Sequence, residues 1–470
     1  MLFNSYEFLF IFLPFSLLAT RWTSGRVLLR LLTLFSFLFY AFAGHVWFLA
    51  PMLFTIAVDF LLAPLMARSE GRRRLSLLWV SLSLNLGLLF YFKYAGFFLE
   101  NVQALGKLAG FDTSSPWLTW ALKVPLPAGI SFYTFQTLSY MIDIYRRKAK
   151  PELDFWKFAS FVSFYPHLVA GPLTRHYQLI PSLTRMEERG VEPDWAGGFF
   201  LLGTGLCKKV LLGDPLGFQV SLLLHQPHRF ALLNAWVLAL GFYMQIYMDF
   251  SGYSDMALGL GRFFGVRLPE NFNRPGHASS PADFWRRWHM SLAAWLRDYI
   301  FIPLAGRKAS PRRLGAASFA TMVLCGLWHG AAWNFVLWGA YFGALLVLQQ
   351  QLGERFEVLP KRLKIWGTFL LVTLGITFFR SESLQESVAW FGGCLGAKGL
   401  VTQSASEWLS LHWRILACSA VTLSYMIVAP EGTAWLEEGP PRWAWAGLGA
   451  LSAAAVAFVS QSNSFIYFKF

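Results

Sequence analysis

Charge is scarce in this chain. Only 14% of its 470 residues are charged, against 56% hydrophobic. A soluble domain typically carries about 25% charged residues. The deficit excludes an ordinary soluble enzyme and indicates a polytopic membrane protein. Cysteine is nearly absent as well. The four present (Cys207, Cys325, Cys394 and Cys418) are scattered in apolar surroundings with no CxxC pair. That pattern argues against a disulfide framework or zinc site and for small buried side chains. No HxxxxD pair, GxSxG elbow, HExxH motif or GxxxxGK[ST] loop occurs, so a serine hydrolase or zinc peptidase has no support and no metal is expected. No internal repeat or low-complexity linker appears. This weakens a transporter built from two similar halves and favours one integral membrane domain over residues 1–470.

What is present is apolar, aromatic and asymmetrically basic. The opening MLFNSYEFLFIFLPFSLLAT lacks the basic region and cleavage site of a signal peptide, so it reads as a retained first span. Apolar runs predict an all-α fold of roughly ten to twelve crossings, at about 20 residues per span. The clearer runs lie near residues 3–20, 31–44, 46–66, 75–99, 230–250, 365–379, 411–428 and 442–459. The stretch Phe155–Leu173 carries Pro166, His167, Gly171 and Pro172 between basic flanks. Helix breakers at depth need protein or a cavity around them, and a re-entrant hairpin is expected there. The net charge of +14 follows the topology and does not indicate nucleic-acid binding. Arg21, Arg26 and Arg30, then Arg68 and Arg72–Arg74, then Arg146–Lys150 fall in alternate loops, whereas Glu100–Pro116 holds only Lys107. The positive-inside rule then puts the N-terminus outside and the basic loops in the cytoplasm. The 21 Trp, 16 Tyr and 46 Phe amply supply interfacial belts that seat the protein among membrane lipids.

Within the run Leu314–Leu348, which has no Asp, Glu, Lys or Arg, His329 is the one residue that titrates near neutral pH. A titratable imidazole at membrane depth is costly to keep and is a functional-site candidate; the alternative is a core histidine bonded to a neighbouring helix. The run would reach roughly 50 Å as one helix, against a hydrocarbon core of roughly 30 Å. It is expected to split near His329, with Gly326 and Gly330 leaving room for a substrate beside the ring.

A second block, Pro269–Gly306, begins with loop chemistry and then shows Ser280-Pro281-Ala282-Asp283, an N-cap followed by Pro and an acid in the first turn. One helix is expected from there to about Pro303. On a helical wheel Trp285, Trp288, Leu292, Trp295, Leu296 and Tyr299 form an apolar stripe with His289 at its edge, while Arg286, Arg287, Arg297 and Asp298 lie off it. Such a helix lies in the interface or dips in from it, with its arginines facing phosphate-bearing groups, either lipid headgroups or a nucleotide donor. Two histidines without metal-ligand spacing suit proton transfer.

Acidic residues also fall in apolar runs: Asp59, Asp143, Asp249 and Asp255. Asp249, Ser251, Tyr253, Ser254 and Asp255 make a polar cluster, which reads as helix-to-helix hydrogen bonding helped by Gly252, Gly259 and Gly261, with an ion pathway as the alternative. Asn334 joins them as a candidate tunnel or structural polar residue.

LWHGAAWNF around His329, FWRRWHMSLAAWLRDYIF around His289 and QIYMDFSGYSDMALGLGRFFG together resemble the membrane-bound O-acyltransferase family, and more closely its bacterial alginate O-acetylation branch. The opening segment, PAGISFYTFQTLSYMIDIYR and FYPHLVAGPLTR match that branch too. The resemblance runs to about Leu348, with the core motifs at about 124–348, and returns in the C-terminal region 442–470. It implies helices around a central tunnel, a catalytic base at His329 with His289 nearby, and acetyl-CoA as donor with no bound cofactor. Arg286, Arg287, Trp285 and Trp288 would lie near the donor. The acetyl group would pass from the cytoplasmic face of the inner membrane to periplasmic acetyltransferase partners that place it on a polysaccharide. Peptidoglycan, cellulose or a D-alanyl carrier are alternative substrates within the family, and a lipid-linked-sugar transporter is an alternative class. The ending FIYFKF resembles that branch's terminal motif, with Lys469 in place of the usual Gln, and the end of the small membrane subunit of D-alanylation systems. It suggests Tyr467 as a transient acyl relay activated by His329; an aromatic interfacial anchor is the plainer reading.

Overall fold

The computed structural model describes residues 1–110, 125–226, 229–306, 308–401, 404–462 and 465–466. Among them the regular structure is helical, with no strand and one isolated antiparallel bridge, Phe272 to Trp288. Among the described residues eight helices are long and apolar enough to cross a membrane: Gly25–Ala43, Val46–Arg68, Gly71–Leu108, Trp195–Leu224, Trp333–Leu352, Lys361–Arg380, Ala405–Val428 and Arg442–Gln461. The expected ten to twelve counted further runs that are helical but fall outside this set. The N-terminal run is a π-turn, Glu7–Phe12, continued by a nine-residue helix, Leu13–Arg21. Ile130–Tyr145 has 16 residues, and the 32-residue helix Leu232–Phe263 carries Asp249, Asp255 and Arg262.

Two compact units divide the chain, Met1–Gly198 with Leu260–Pro269, and Phe199–Gly259 with Glu270–Phe470. In the first unit the aromatic rings of Phe8, Phe12, Phe39 and Tyr165 pack together at 5.3–6.2 Å. Arg74 is buried and donates to the Met66, Ser69, Ile144 and Tyr145 carbonyls, so one guanidinium closes the C-terminal ends of two helices. Asp59 is buried between Ser81 at 2.6 Å and Asn85 at 3.0 Å.

The broken stretch after residue 155 is as breaker-rich as its sequence. Asp154 caps Phe155–Ser163 by accepting from the Trp156 and Lys157 amides. The helix stops at Phe164, resumes for one turn over Tyr165–Leu168 and gives way to loop before His176–Arg189. Residues 158–175 are all buried, so protein surrounds the irregular backbone. His167 meets the Gln136 side chain at 3.3 Å.

In the second unit the long apolar run containing His329 is split as expected. Pro311–His329, capped by Ser310, and Trp333–Leu352 form a hairpin joined by Gly330, Ala331 and Ala332. Small residues let the two backbones touch. A Cβ on Gly326 would overlap the Phe335 carbonyl, and one on Gly343 would lie 3.0 Å from the Phe319 Cα.

Candidate active site

His329 is the last residue of its helix and is 5% exposed. Its ring lies edge-on to Trp328, Trp338 and Phe379 at 4.8, 5.1 and 5.1 Å. The cavity at the ring, walled by Tyr243, Trp288, Trp338, Phe342 and Phe379, measures only about 10 Å³, about the room one water requires. Glycine does not open this pocket. The space beside Gly326 is filled by the Phe335 backbone and that beside Gly330 by the Phe335 ring, so at the ring itself these glycines serve the packing of the helix hairpin. The larger space lies beyond the following turn: about 440 Å³ lined by Gly330, Ala331, Ala332, Gln245, Asn334 and Ile466 among others.

The block around His289 is not one helix. Ser280 caps Pro281–Trp285, its hydroxyl accepting from the Asp283 amide at 3.0 Å. The chain then breaks, and a second helix starts at Met290 after His289, whose φ of 45° lies in the left-handed region. The break is held from outside the helix: the Met290 amide donates to Asn271 at 2.9 Å, the Asn273 amide donates to Arg287 at 2.9 Å, and Phe272 bridges Trp288. The apolar stripe nevertheless turns inward. Trp288, Leu292, Trp295 and Leu296 are buried, and so is His289 at 1% exposed. His289 packs edge-on to Phe250 at 4.7 Å and lies 6.0 Å from Trp328, the same indole that abuts His329. Burial pushes the His289 imidazole down to about 3.

The four residues expected near a donor divide. Arg286, 72% exposed, and Arg287, 30% exposed, both pair with Asp283, at 3.7 and 3.1 Å. Trp288 is enclosed by Phe272 and Phe284. Trp285 packs on Trp338 and Phe342. The buried indole nitrogens of Trp285 and Trp338 have no hydrogen-bond partner among the described residues; of the two rings, Trp338 packs on His329 and Trp285 packs on Trp338.

The polar cluster in Leu232–Phe263 is ionic, with its cations supplied from another helix. Lys208 and Lys209, in the π-helical turn Cys207–Gly213, are 1% and 3% exposed. Lys209 lies 2.6 Å from both Asp214 and Asp249; Lys208 lies 2.8 Å from Asp255 and 3.3 Å from Glu431. Two adjacent lysines inside an apolar run carry the same signature as His329, a charge where charge is expensive. Gly252 brings the helices together here, as expected: a Cβ on it would meet the Gly205 carbonyl at 2.8 Å. Ser251 is buried and its hydroxyl has no hydrogen-bond partner among the described residues. Asn334 donates to the Phe378 and Ser381 carbonyls, closing the end of Lys361–Arg380. Tyr467 lies outside the described residues, but Ile466 is described: its amide donates to Asp249 at 2.7 Å.

Comparison with known proteins places this arrangement. The membrane-bound O-acyltransferase family model matches residues 144–381. A probable alginate O-acetylase of Pseudomonas aeruginosa is 38% identical over 83% of this chain and 74% of its own length. The chain belongs to the membrane-bound O-acyltransferase family. Family members of other specificity match as well. A peptidoglycan O-acetyltransferase of Helicobacter pylori is 31% identical over 87% of this chain and 83% of its own. A teichoic acid D-alanyltransferase of Bacillus subtilis is 26% identical over 53% and 66%. The chain is therefore a multi-pass membrane acyltransferase, and the transporter alternative gives way. Both histidines, Asp249, Asp255 and Asn334 lie inside the matched region; Tyr467 lies beyond it.

Proposed function

We propose that this acyltransferase takes acetyl from cytoplasmic acetyl-CoA and passes it across the inner membrane, with the N-terminus outside, for O-acetylation of an exopolysaccharide. The observation that carries the reading is His329, buried among aromatic rings at the end of a split membrane helix, next to a turn that lines a cavity of about 440 Å³. The likeness to a probable alginate O-acetylase supports an alginate-like acceptor served through periplasmic acetyltransferase partners. An acceptor hydroxyl attacks the thioester carbonyl while His329 takes its proton; the carbon–sulfur bond breaks and CoA leaves as the thiol. His289, kept neutral by burial, polarises or positions the carbonyl as a hydrogen-bond donor. The Trp285 and Trp338 N–H groups suit the developing oxyanion. Arg286 and Arg287, paired with Asp283, offer charge to the donor's phosphates or to lipid headgroups.

One observation favours a relay as a second reading. Tyr467 follows Ile466, whose amide is tied to Asp249 and which lines the cavity beside the Gly330–Ala332 turn. In this variant the Tyr467 phenol, deprotonated by His329, accepts the acetyl and hands it to an outside acceptor. A Tyr467→Phe protein with full transfer removes the relay and leaves direct transfer.

The test is release of CoA thiol from acetyl-CoA by purified protein with its partners, for wild type and His329→Ala. Turnover lost in a folded variant supports the base; equal turnover in both defeats it. No turnover in either defeats acetyl-CoA as donor.

A further inference from the structure

Lys209 has more negative charge around it than it can neutralise. One ammonium is shared by Asp214 and Asp249, each at 2.6 Å, and all three side chains are buried. Two carboxylates on one cation leave a net negative charge inside the protein, which is costly unless donors complete it. The donors come from one place, the C-terminal segment. The Ser462 hydroxyl donates to Asp214, and the Ile466 amide donates to Asp249 at 2.7 Å. Between these ties Phe465 is buried, stacked on Tyr253 at 4.6 Å and against Phe250 at 5.7 Å. Phe250 is the ring that packs edge-on to His289. Ile466 itself forms part of the wall of the cavity that the Gly330–Ala332 turn also lines.

The neighbouring lysine follows the same logic but uses no tail. Lys208 is shared by Asp255 and Glu431, and the donors completing that group are the Tyr247 hydroxyl, at 2.7 Å from Glu431, and the Arg274 amide, at 2.8 Å. Of the two adjacent clusters, only the Lys209 cluster draws its donors from the segment that reaches the cavity.

We propose that Lys209, Asp214 and Asp249 form a latch that seats Ser462, Phe465 and Ile466 against the cavity lined by the Gly330–Ala332 turn that follows His329, making the three ionic residues positioning residues for acyl transfer. The proposal rests on the reading of this cavity as the place of transfer. The Ser462 hydroxyl and the Ile466 amide complete the two buried carboxylates, so segment and carboxylates hold each other in place. The latch fixes the register of the chain end at its two ties.

Hydrogen–deuterium exchange of the peptide containing Ile466, in wild type and in Asp249→Asn, tests the seating without reference to catalysis. At least tenfold faster exchange there in the variant is expected, and unchanged exchange overturns the latch. Ser462→Ala removes the other tie while keeping all three ionic groups, and it covers the case in which Asp249→Asn fails to fold. Ser462→Ala should also speed exchange at the chain end, and no change there overturns the proposal. The functional half is read from Asp249→Asn, Ile466→Pro, which deletes the donor N–H, and the pair together. Each single change is expected to lower acetyl transfer at least tenfold, with the double variant no lower than the worse single one. Multiplying losses would show Asp249 acting apart from the segment and overturn the positioning role. Transfer retained in His329→Ala would defeat the catalytic reading alone, because the exchange result stands without it.

Discussion

His329 reaches its position with almost no free space around its ring, and the indole of Trp338 packs edge-on against it. Trp338 is 3% exposed, its ring is 5.1 Å from the imidazole and its N–H has no partner among the described residues. Buried donors are rarely left unsatisfied, and one kept beside a proposed base suits a charge that appears only during reaction. Trp338→Phe removes that N–H and keeps most of the ring. Its kcat is expected to fall by about a hundredfold or more, on the order of one oxyanion donor, with a thermal unfolding midpoint close to wild type; unchanged kcat would remove the indole from the chemistry. His329 was legible in the sequence because charge is so rare around it. Lys208 and Lys209 were equally legible by that rule, but their partners Asp214, Asp249, Asp255 and Glu431 come from three separate stretches. A pairing across such separations has no local pattern to announce it.

At the scale of elements, the split of the His329 run followed from length alone, whereas the break at His289 did not. A helical wheel presumes an unbroken helix, and the capped start at Ser280 gave no reason to doubt one. The interruption is imposed by the loop Asn271–Asn273, which takes up the Arg287 carbonyl and the Met290 amide. The wheel still predicted burial well because the packed stripe resumes after the break. The break also makes a usable distinction. At φ 45° a left-handed backbone suits Asn far better than a residue such as Ala, a difference of roughly 1 kcal/mol. His289→Asn is expected to keep the unfolding midpoint, while His289→Ala lowers it. If the imidazole serves the reaction, both lose acetyl transfer alike. Transfer that tracks the midpoint instead, preserved in Asn and reduced in Ala, would make His289 a residue of the turn only.

At the scale of the whole molecule, the polytopic helical class was set by composition, but the balance of buried ionic groups was not visible until partners were located. That balance predicts how the protein meets acid. His289 lies far below the ordinary histidine value because burial opposes its charge. Its neutral form is the folded form, so its contribution to stability is complete above about pH 6.5 and is lost as pH falls from there toward 3. Burial works to raise the Glu431 carboxyl, but Lys208, the Arg274 amide and the Tyr247 hydroxyl outweigh it and hold the group below its ordinary value. A depressed carboxyl contributes above its unfolded value and is lost as pH falls through the folded one. The two groups therefore act in the same direction, one beginning near pH 6.5 and the other near the carboxylate range. The unfolding midpoint in detergent is expected to be level from about pH 7 to 8 and to fall in two stages below, the upper stage flattened in His289→Asn. A midpoint that holds steady from pH 7 to 4 would mean that neither group is as enclosed as its surroundings make it. An upper stage that persists in His289→Asn would assign it to another histidine, His277 among them, which burial and the neighbouring Arg274 and Arg287 charges also depress.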